Sequence, residues 1–372
     1  MKILFAGGGT AGHILPIIAV AREIRRIYPK PNLRFFYLGP EDEFGNMLLS
    51  QEGIKVKQVL TGKIRRYFNL KAFFQNLFDL FKTPIGILQA FLYIFFLSPD
   101  LIFSKGGFGS IPAVIAGWCL RVPIFLHESD VSPGLSNRFL SKFALEIFIS
   151  FRRTEYFSPR KIILVGNPVR RELLEGSKAE AQRLFKLSYK KPVILIMGGS
   201  QGAQRINDKI LEILPELLKI FEIIHQCGEK NFKEVRAESN AILPEELVVF
   251  YHPFPFLKEE ELKQAYAACD FVVSRAGSGS IFEISAAKKS SILIPLPEGA
   301  QNHQVKNAYA YAESGATTVL EEANFTPHFF LEKLKYLIFQ KGELGRRQEA
   351  AERFSKPQAA KTIAGYLVEF LK

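Results

Sequence analysis

A short apolar run that empties into a glycine loop and then into a helical pattern occurs twice in this chain. That repeat constrains its fold more than any other feature. Lys2-Ile3-Leu4-Phe5-Ala6 leads into Gly7-Gly8-Gly9-Thr10-Ala11-Gly12-His13, and Ile14, Leu15, Ile18, Val20 and Ile24 follow at helical spacing. Pro192 to Met197 leads into Gly198-Gly199-Ser200-Gln201-Gly202 and a second helical stretch. Glycines allow a tight turn and a close backbone approach to a ligand. The N–H groups at the helix start that follows, backed by the positive end of the helix dipole, suit a phosphate. Further strand-like runs alternate with helical ones. They are Arg34–Leu38, Leu101–Phe103, Ile124–Leu126, Glu146–Ile149 and Ile162–Val165, then Phe221–Ile224, Leu247–Phe250, Phe271–Val273 and Ser291–Ile294. Such alternation specifies an α/β chain with doubly wound parallel sheets.

Two glycine loops specify two Rossmann-like domains, 1–165 and 166–372, facing across a cleft at the carboxyl ends of their strands. Gly166-Asn167-Pro168 supplies the turn between them. The helical pattern from Lys361 to Lys372 allows a return to the first domain. A length of 372 residues agrees with two domains. Three scattered cysteines, Cys119, Cys227 and Cys269, give neither a disulfide framework nor zinc spacing, as expected in a reducing cytoplasm. A first strand at residue 2 leaves no expectation of a signal peptide.

The net charge of +12 admits anionic partners. Without a zinc finger, an RNP-like aromatic motif or a basic tail, nucleic acid is not expected. Gly7, Gly9 and Gly12 also satisfy G-x-G-x-x-G. A dinucleotide site needs an acid at the end of the second strand, however, and here Glu41 and Asp42 follow only after a turn. That reading also leaves the second glycine loop without a role.

Other constellations sit where such sheets bind ligands. His13, at a helix start, is able to accept a hydroxyl proton near neutral pH; the bland alternative is a packed or capping histidine. Lys105 lies within Ser104 to Ser110, a glycine turn after a strand. His127-Glu128-Ser129-Asp130 follows the next strand. Arg275 precedes Ala276-Gly277-Ser278-Gly279-Ser280, another helix start suited to a diphosphate, with Arg275 adding charge. Ser280 and Glu283 also spell a capping box, which competes for the carboxylate. Gln301-Asn302-His303-Gln304 offers amides to a sugar. No Asp-x-Asp occurs, so neither a metal-bridged diphosphate nor a cofactor is expected.

Leu70, Phe73, Phe74, Leu77, Phe78 and Phe81 recur at helical spacing among Lys63, Arg65, Arg66, Lys71 and Lys82. Residues 63–82 thus suit an anionic membrane surface, each basic group contributing about 1 kcal/mol. The apolar run Ile85–Leu97 is shorter than the roughly 20 residues of a membrane span. It reads as an ordinary core helix.

Together, Gly7 to His13, Ser104 to Phe108, His127 to Gly134, Gly166 to Arg170, Gly198 to Gly202, Ser274 to Glu283 and His303-Gln304 resemble the MurG family in order and spacing, along nearly the whole chain. The resemblance implies a GT-B glycosyltransferase that inverts at the anomeric carbon. It would move GlcNAc from UDP-GlcNAc to the C4 hydroxyl of MurNAc on undecaprenyl-linked lipid I, giving lipid II for peptidoglycan. The family works peripherally at the cytoplasmic face of the bacterial plasma membrane. The resemblance further implies His13 or Glu128 as the base. Thr10, Ala11, Gly12, Asp130, Arg170, Ser200, Ser278, Gly279, Ser280, Glu283 and Gln304 would bind substrate, with a backbone contact to uracil near Phe256-Leu257. Ala11 and Asp130 depart from the glycine and asparagine common there; an aspartate accepts from a sugar hydroxyl but donates nothing. The rival readings are a GT-B enzyme acting on another lipid and a UDP-GlcNAc epimerase.

Overall fold

The computed structural model describes residues 1–62, 70–152, 156–199, 202–297 and 302–372, and for 70–78, 80 and 81 the backbone course alone. The chain divides into two compact units, Met1–Arg170 with Gln358–Lys372, and Arg171–Pro357.

In the first unit the strands are β1 (Lys2–Ala6), β2 (Arg34–Gly39), β3 (Lys55–Gln58), β4 (Leu101–Ser104), β5 (Ile124–Glu128), β6 (Glu146–Ile149) and β7 (Ile162–Leu164). They form one parallel sheet in the order β3-β2-β1-β4-β5-β6-β7. The central strands are apolar on both faces because helices cover both faces. Much of the phenylalanine is spent here: Phe103 packs edge-on to Phe5 at 6.1 Å, and Phe125 stacks on Phe148 at 6.2 Å. The last helix, Ala359–Phe370, closes this same core. Its Ala360, Ile363, Ala364, Leu367 and Val368 pack with residues of β1 and of the helix Ala11–Ile27. Gly166 to Arg170 likewise belong to the first unit, so this unit runs five residues past the expected boundary at 165.

The second unit repeats the plan with β8 (Val193–Met197), β9 (Glu222–Gln226), β10 (Tyr251–Phe254), β11 (Phe271–Ser274), β12 (Ser290–Leu293) and β13 (Thr317–Val319). The order is β10-β9-β8-β11-β12-β13, again parallel. In each sheet the winding reverses beside its first strand. Ala6 is paired with both Leu38 and Ser104, and Met197 with both Gln226 and Ser274. Both glycine loops therefore leave their sheets at the switch point, where such folds bind ligands.

The run Ile85–Leu97 is not an ordinary core helix. It is the second half of one helix, Leu70–Leu97, with Pro84 inside it. Gly86, Ala90 and Ile94, four residues apart, face the sheet side. A side chain at Gly86 would collide with the Leu60 carbonyl. Ile85, Leu88, Leu92, Phe95 and Phe96 face outward, and Phe96 is 80% exposed. Trp118 and Phe139 are exposed in the same unit, each packed on Phe143.

Candidate active site

In the first unit, Thr10 stands at the N-cap of the helix Ala11–Ile27, with Ala11 and Gly12 in its first turn. His13 follows, its Nδ1 2.8 Å from Thr10 Oγ1. The ring lies in a slot between glycines. A Cβ on Gly8 would come within 3.1 Å of Nδ1 and Cε1, and one on Gly107 within 2.9 Å of Nε2. Gly107 also holds φ at +80°, a conformation natural only to glycine. Poor access of water to the ring, and then the nearby Lys105 ammonium, hold the His13 pKa at about 3.

Beyond β4 and β5 a charged cluster is knitted together. Buried Lys105 donates to Ser129 Oγ. Glu128 Oε1 accepts the Asp130 N–H at 2.9 Å, and Oε2 accepts Asn137 Nδ2–H at 2.7 Å. Asn137 Oδ1 accepts the Gly107 N–H at 3.2 Å, so one amide ties the carboxylate to the glycine turn. Burial, and then Asp130, push the Glu128 carboxyl up to about 7; burial lowers the Lys105 ammonium to about 8. His127 points inside instead, where its Nε2 meets the Gly166 carbonyl at 3.0 Å. Arg170 is buried in this same unit.

The two candidate bases differ in their partners. Both Glu128 oxygens are engaged, whereas Nε2 of His13 takes no hydrogen bond among the described residues.

In the second unit, the helix Ser278–Ala286 begins after β11 with Gly277 as its N-cap. Its first helical bond runs from Ile281 N–H to Gly277 O at 3.1 Å. The N–H groups of Ser278, Gly279 and Ser280 thus lie ahead of the helical ladder, as an anion site requires. The capping-box reading of Ser280 and Glu283 fails, because Ser280 is already inside the helix and no side chain caps it. Glu283 instead accepts from Tyr266 Oη–H at 3.3 Å. Gln304, in the first turn of the helix His303–Ala312, accepts the Leu296 N–H at 3.1 Å. Ser200 and Gln301 lie outside the described residues.

Arg275 does not reach out as a diphosphate ligand. Its guanidinium is buried against Glu322 and donates to the Ile294 carbonyl at 3.2 Å; Glu322 also pairs with Arg205 at 2.8 Å. Gln226, at the end of β9, went unread in the sequence. Its Nε2 donates to Gly199 O at 3.2 Å and its Oε1 accepts the Leu257 N–H at 3.1 Å. It thereby fastens the second glycine loop to the Phe256-Leu257 segment. Asn137 and Tyr266 were missed for the same reason. Each is an ordinary helix residue until the fold brings it to a carboxylate.

Comparison with known proteins decides the family. Residues 3–149 match the glycosyltransferase family 28 N-terminal domain, and residues 193–363 its C-terminal domain. The chain belongs to glycosyltransferase family 28. A Bacillus cereus member of this family, UDP-N-acetylglucosamine--N-acetylmuramyl-(pentapeptide) pyrophosphoryl-undecaprenol N-acetylglucosamine transferase 2, is 38% identical over 99% of both chains. The crystal structure of Acinetobacter baumannii MurG superposes with a TM-score of 0.75 at 23% identity, covering 99% of each chain. A UDP-GlcNAc 2-epimerase from Neisseria meningitidis, bound to UDP-GlcNAc, has a TM-score of 0.67 at 16% identity over 99% of this chain and 100% of its own. These two share the fold, and the family-28 members share the GT-B plan of two Rossmann-like units.

Proposed function

We propose that this chain is an inverting N-acetylglucosaminyltransferase that moves GlcNAc from UDP-GlcNAc to the C4 hydroxyl of MurNAc on lipid I, forming lipid II. The observation that carries the reading is His13 at a switch point, its Nε2 without a hydrogen bond among the described residues, in a chain 38% identical to a named transferase of that activity. Nε2 takes the proton of the acceptor hydroxyl as its oxygen attacks the anomeric carbon, and UDP leaves from the opposite face. The helix-start N–H groups of Ser278, Gly279 and Ser280 meet the charge growing on the diphosphate. Glu283 accepts from the ribose hydroxyls and Gln304 meets the GlcNAc hydroxyls. Thr10, Ala11, Gly12, Arg170 and Ser200 serve the donor by the family resemblance, and Asp130 accepts from a sugar hydroxyl. Glu128 is a support: through Asn137 it holds the glycine turn against which the base rests.

A lipid acceptor requires a membrane-facing surface, and we place it on the first unit, at the cytoplasmic face of the plasma membrane. The outward apolar ridge of Ile85, Leu88, Leu92, Phe95 and Phe96 supports this. Among the described residues, no helix is long and apolar enough to cross a membrane. Of the basic stretch 63–82, residues 63–69 lie outside the described residues and 70–78, 80 and 81 are described by backbone course alone; Lys82 pairs with Asp79 at 3.0 Å. The pair Leu88→Glu and Phe96→Glu is expected to weaken binding to anionic vesicles at least about tenfold, with the fold intact by circular dichroism, since each side chain buries on the order of 1.5 kcal/mol or more of apolar contact. Unaltered vesicle binding would remove the ridge from the account.

Labelled UDP-GlcNAc with lipid I, or with water alone, tests the function. Lipid-linked GlcNAc sustains it, while UDP-ManNAc or unchanged donor contradicts it.

A further inference from the structure

We propose that Thr10 is a positioning residue whose Oγ1 accepts the Nδ1 proton of His13, fixing the tautomer in which Nε2 carries the lone pair. This rests on the reading of His13 as the base. Thr10 has the extended backbone of an N-cap residue, φ −147° and ψ 152°, in which a threonine hydroxyl ordinarily accepts from an N–H in the first helical turn. Here it caps nothing. The first-turn bonds from His13 N–H and Ile14 N–H go to the Thr10 carbonyl, at 2.9 and 3.2 Å. The hydroxyl is turned onto the imidazole instead, at 2.8 Å from Nδ1. A local stabilising bond has been forgone at the position that feeds the candidate base.

The slot holds the ring against that hydroxyl. The Gly8 and Gly107 backbones flank the ring so closely that a Cβ on either would press on it. Turning the ring over would exchange Nδ1 for a carbon and lose the Thr10 contact. Scarce water and the Lys105 charge keep the ring unprotonated near neutrality. A neutral imidazole carries one proton, so its tautomer alone decides which nitrogen is basic. With the proton on Nδ1, Nε2 receives the acceptor hydroxyl proton, and the resulting imidazolium keeps its Nδ1–H on Thr10. With the proton on Nε2, that nitrogen is a donor and takes no proton. Thr10, while accepting from His13, retains its own O–H to donate to a substrate oxygen, which couples ligand binding to the base.

The test is a two-bond ¹⁵N–¹H correlation on the full chain labelled at histidine, with His13 assigned by signal loss in His13→Gln. The expected wild-type pattern near neutral pH is Nδ1–H. Thr10→Ser, which keeps the hydroxyl, keeps that pattern. Thr10→Val shifts to the Nε2–H form and loses at least about tenfold in kcat, as expected when a base holds the wrong tautomer. An Nε2–H wild type, a Thr10→Val ring that stays Nδ1–H, or a shifted ring with unchanged kcat would each overturn the proposal. The tautomer is read without turnover, so a chain that transferred no GlcNAc would refute the functional reading and leave the wild-type tautomer assignment standing.

Discussion

Replacing His13 with alanine is expected to lower kcat about 10³-fold, within the range general-base removal ordinarily gives. The KM for UDP-GlcNAc should move less than about threefold, because an interaction made mainly in the transition state is lost. Steady-state transfer kinetics with saturating lipid acceptor measure both. The imidazole lies in a glycine slot at the end of β1, with Nδ1 on Thr10 and Nε2 without a hydrogen bond among the described residues. With its pKa lowered to about 3, the ring is neutral across the physiological range. The kcat/KM profile should therefore show no acid limb at the ordinary imidazole value near 6.5. An acid limb near 7 would report Glu128, which takes up a proton as pH falls through that value, and Glu128→Gln should abolish it. Near-normal turnover in a folded His13→Ala protein would move the base elsewhere.

The second large effect falls on stability. Arg275→Ala is expected to destabilise the second unit by about 3 kcal/mol, because breaking a buried ion pair strands its partner. Among the described residues Glu322 would keep only Arg205, an exposed side chain, and the Ile294 carbonyl would lose a donor. Urea unfolding reads this as a lower midpoint with an unchanged slope. UDP affinity measured well below the transition should hardly change. Retained stability with a large loss of UDP affinity would return Arg275 to the diphosphate.

What sequence could show follows from the range of the interactions involved. The strands β1, β2 and β8 are continuous apolar runs because helices bury both of their faces, and a local reading finds them. Of the edge strands, β7 is found as Ile162–Val165, but the others escape it. β3, Lys-Val-Lys-Gln, is mostly polar because one side meets solvent, and β13 is only Thr317–Val319. Leu247–Phe250 has a strand's composition, yet Pro244 opens the helical turn Glu245–Val248 and β10 starts at Tyr251. Pro253 is tolerated in β10 because that strand is at the sheet edge.

The candidate site shows the same division. The positions of the glycine loops, His13 and Glu128 at strand ends are legible because they follow from chain-local geometry. Arg275 misled because its charge is compensated by Glu322, forty-odd residues on, a pairing no local pattern contains. Ser280 and Glu283 matched a capping motif whose register depends on where the helix begins, and it begins at Ser278. The Ile85–Leu97 run showed its hydrophobicity but not which side of it the sheet would cover.

The most direct test of the central claim is the anomeric configuration of the product, read by NMR on lipid-linked GlcNAc made from the α-configured donor UDP-GlcNAc. One base and one in-line displacement predict a β-linked GlcNAc on the MurNAc C4 oxygen and one UDP per transfer. An α-linked product, or a lipid without GlcNAc beside UDP-ManNAc, would contradict it.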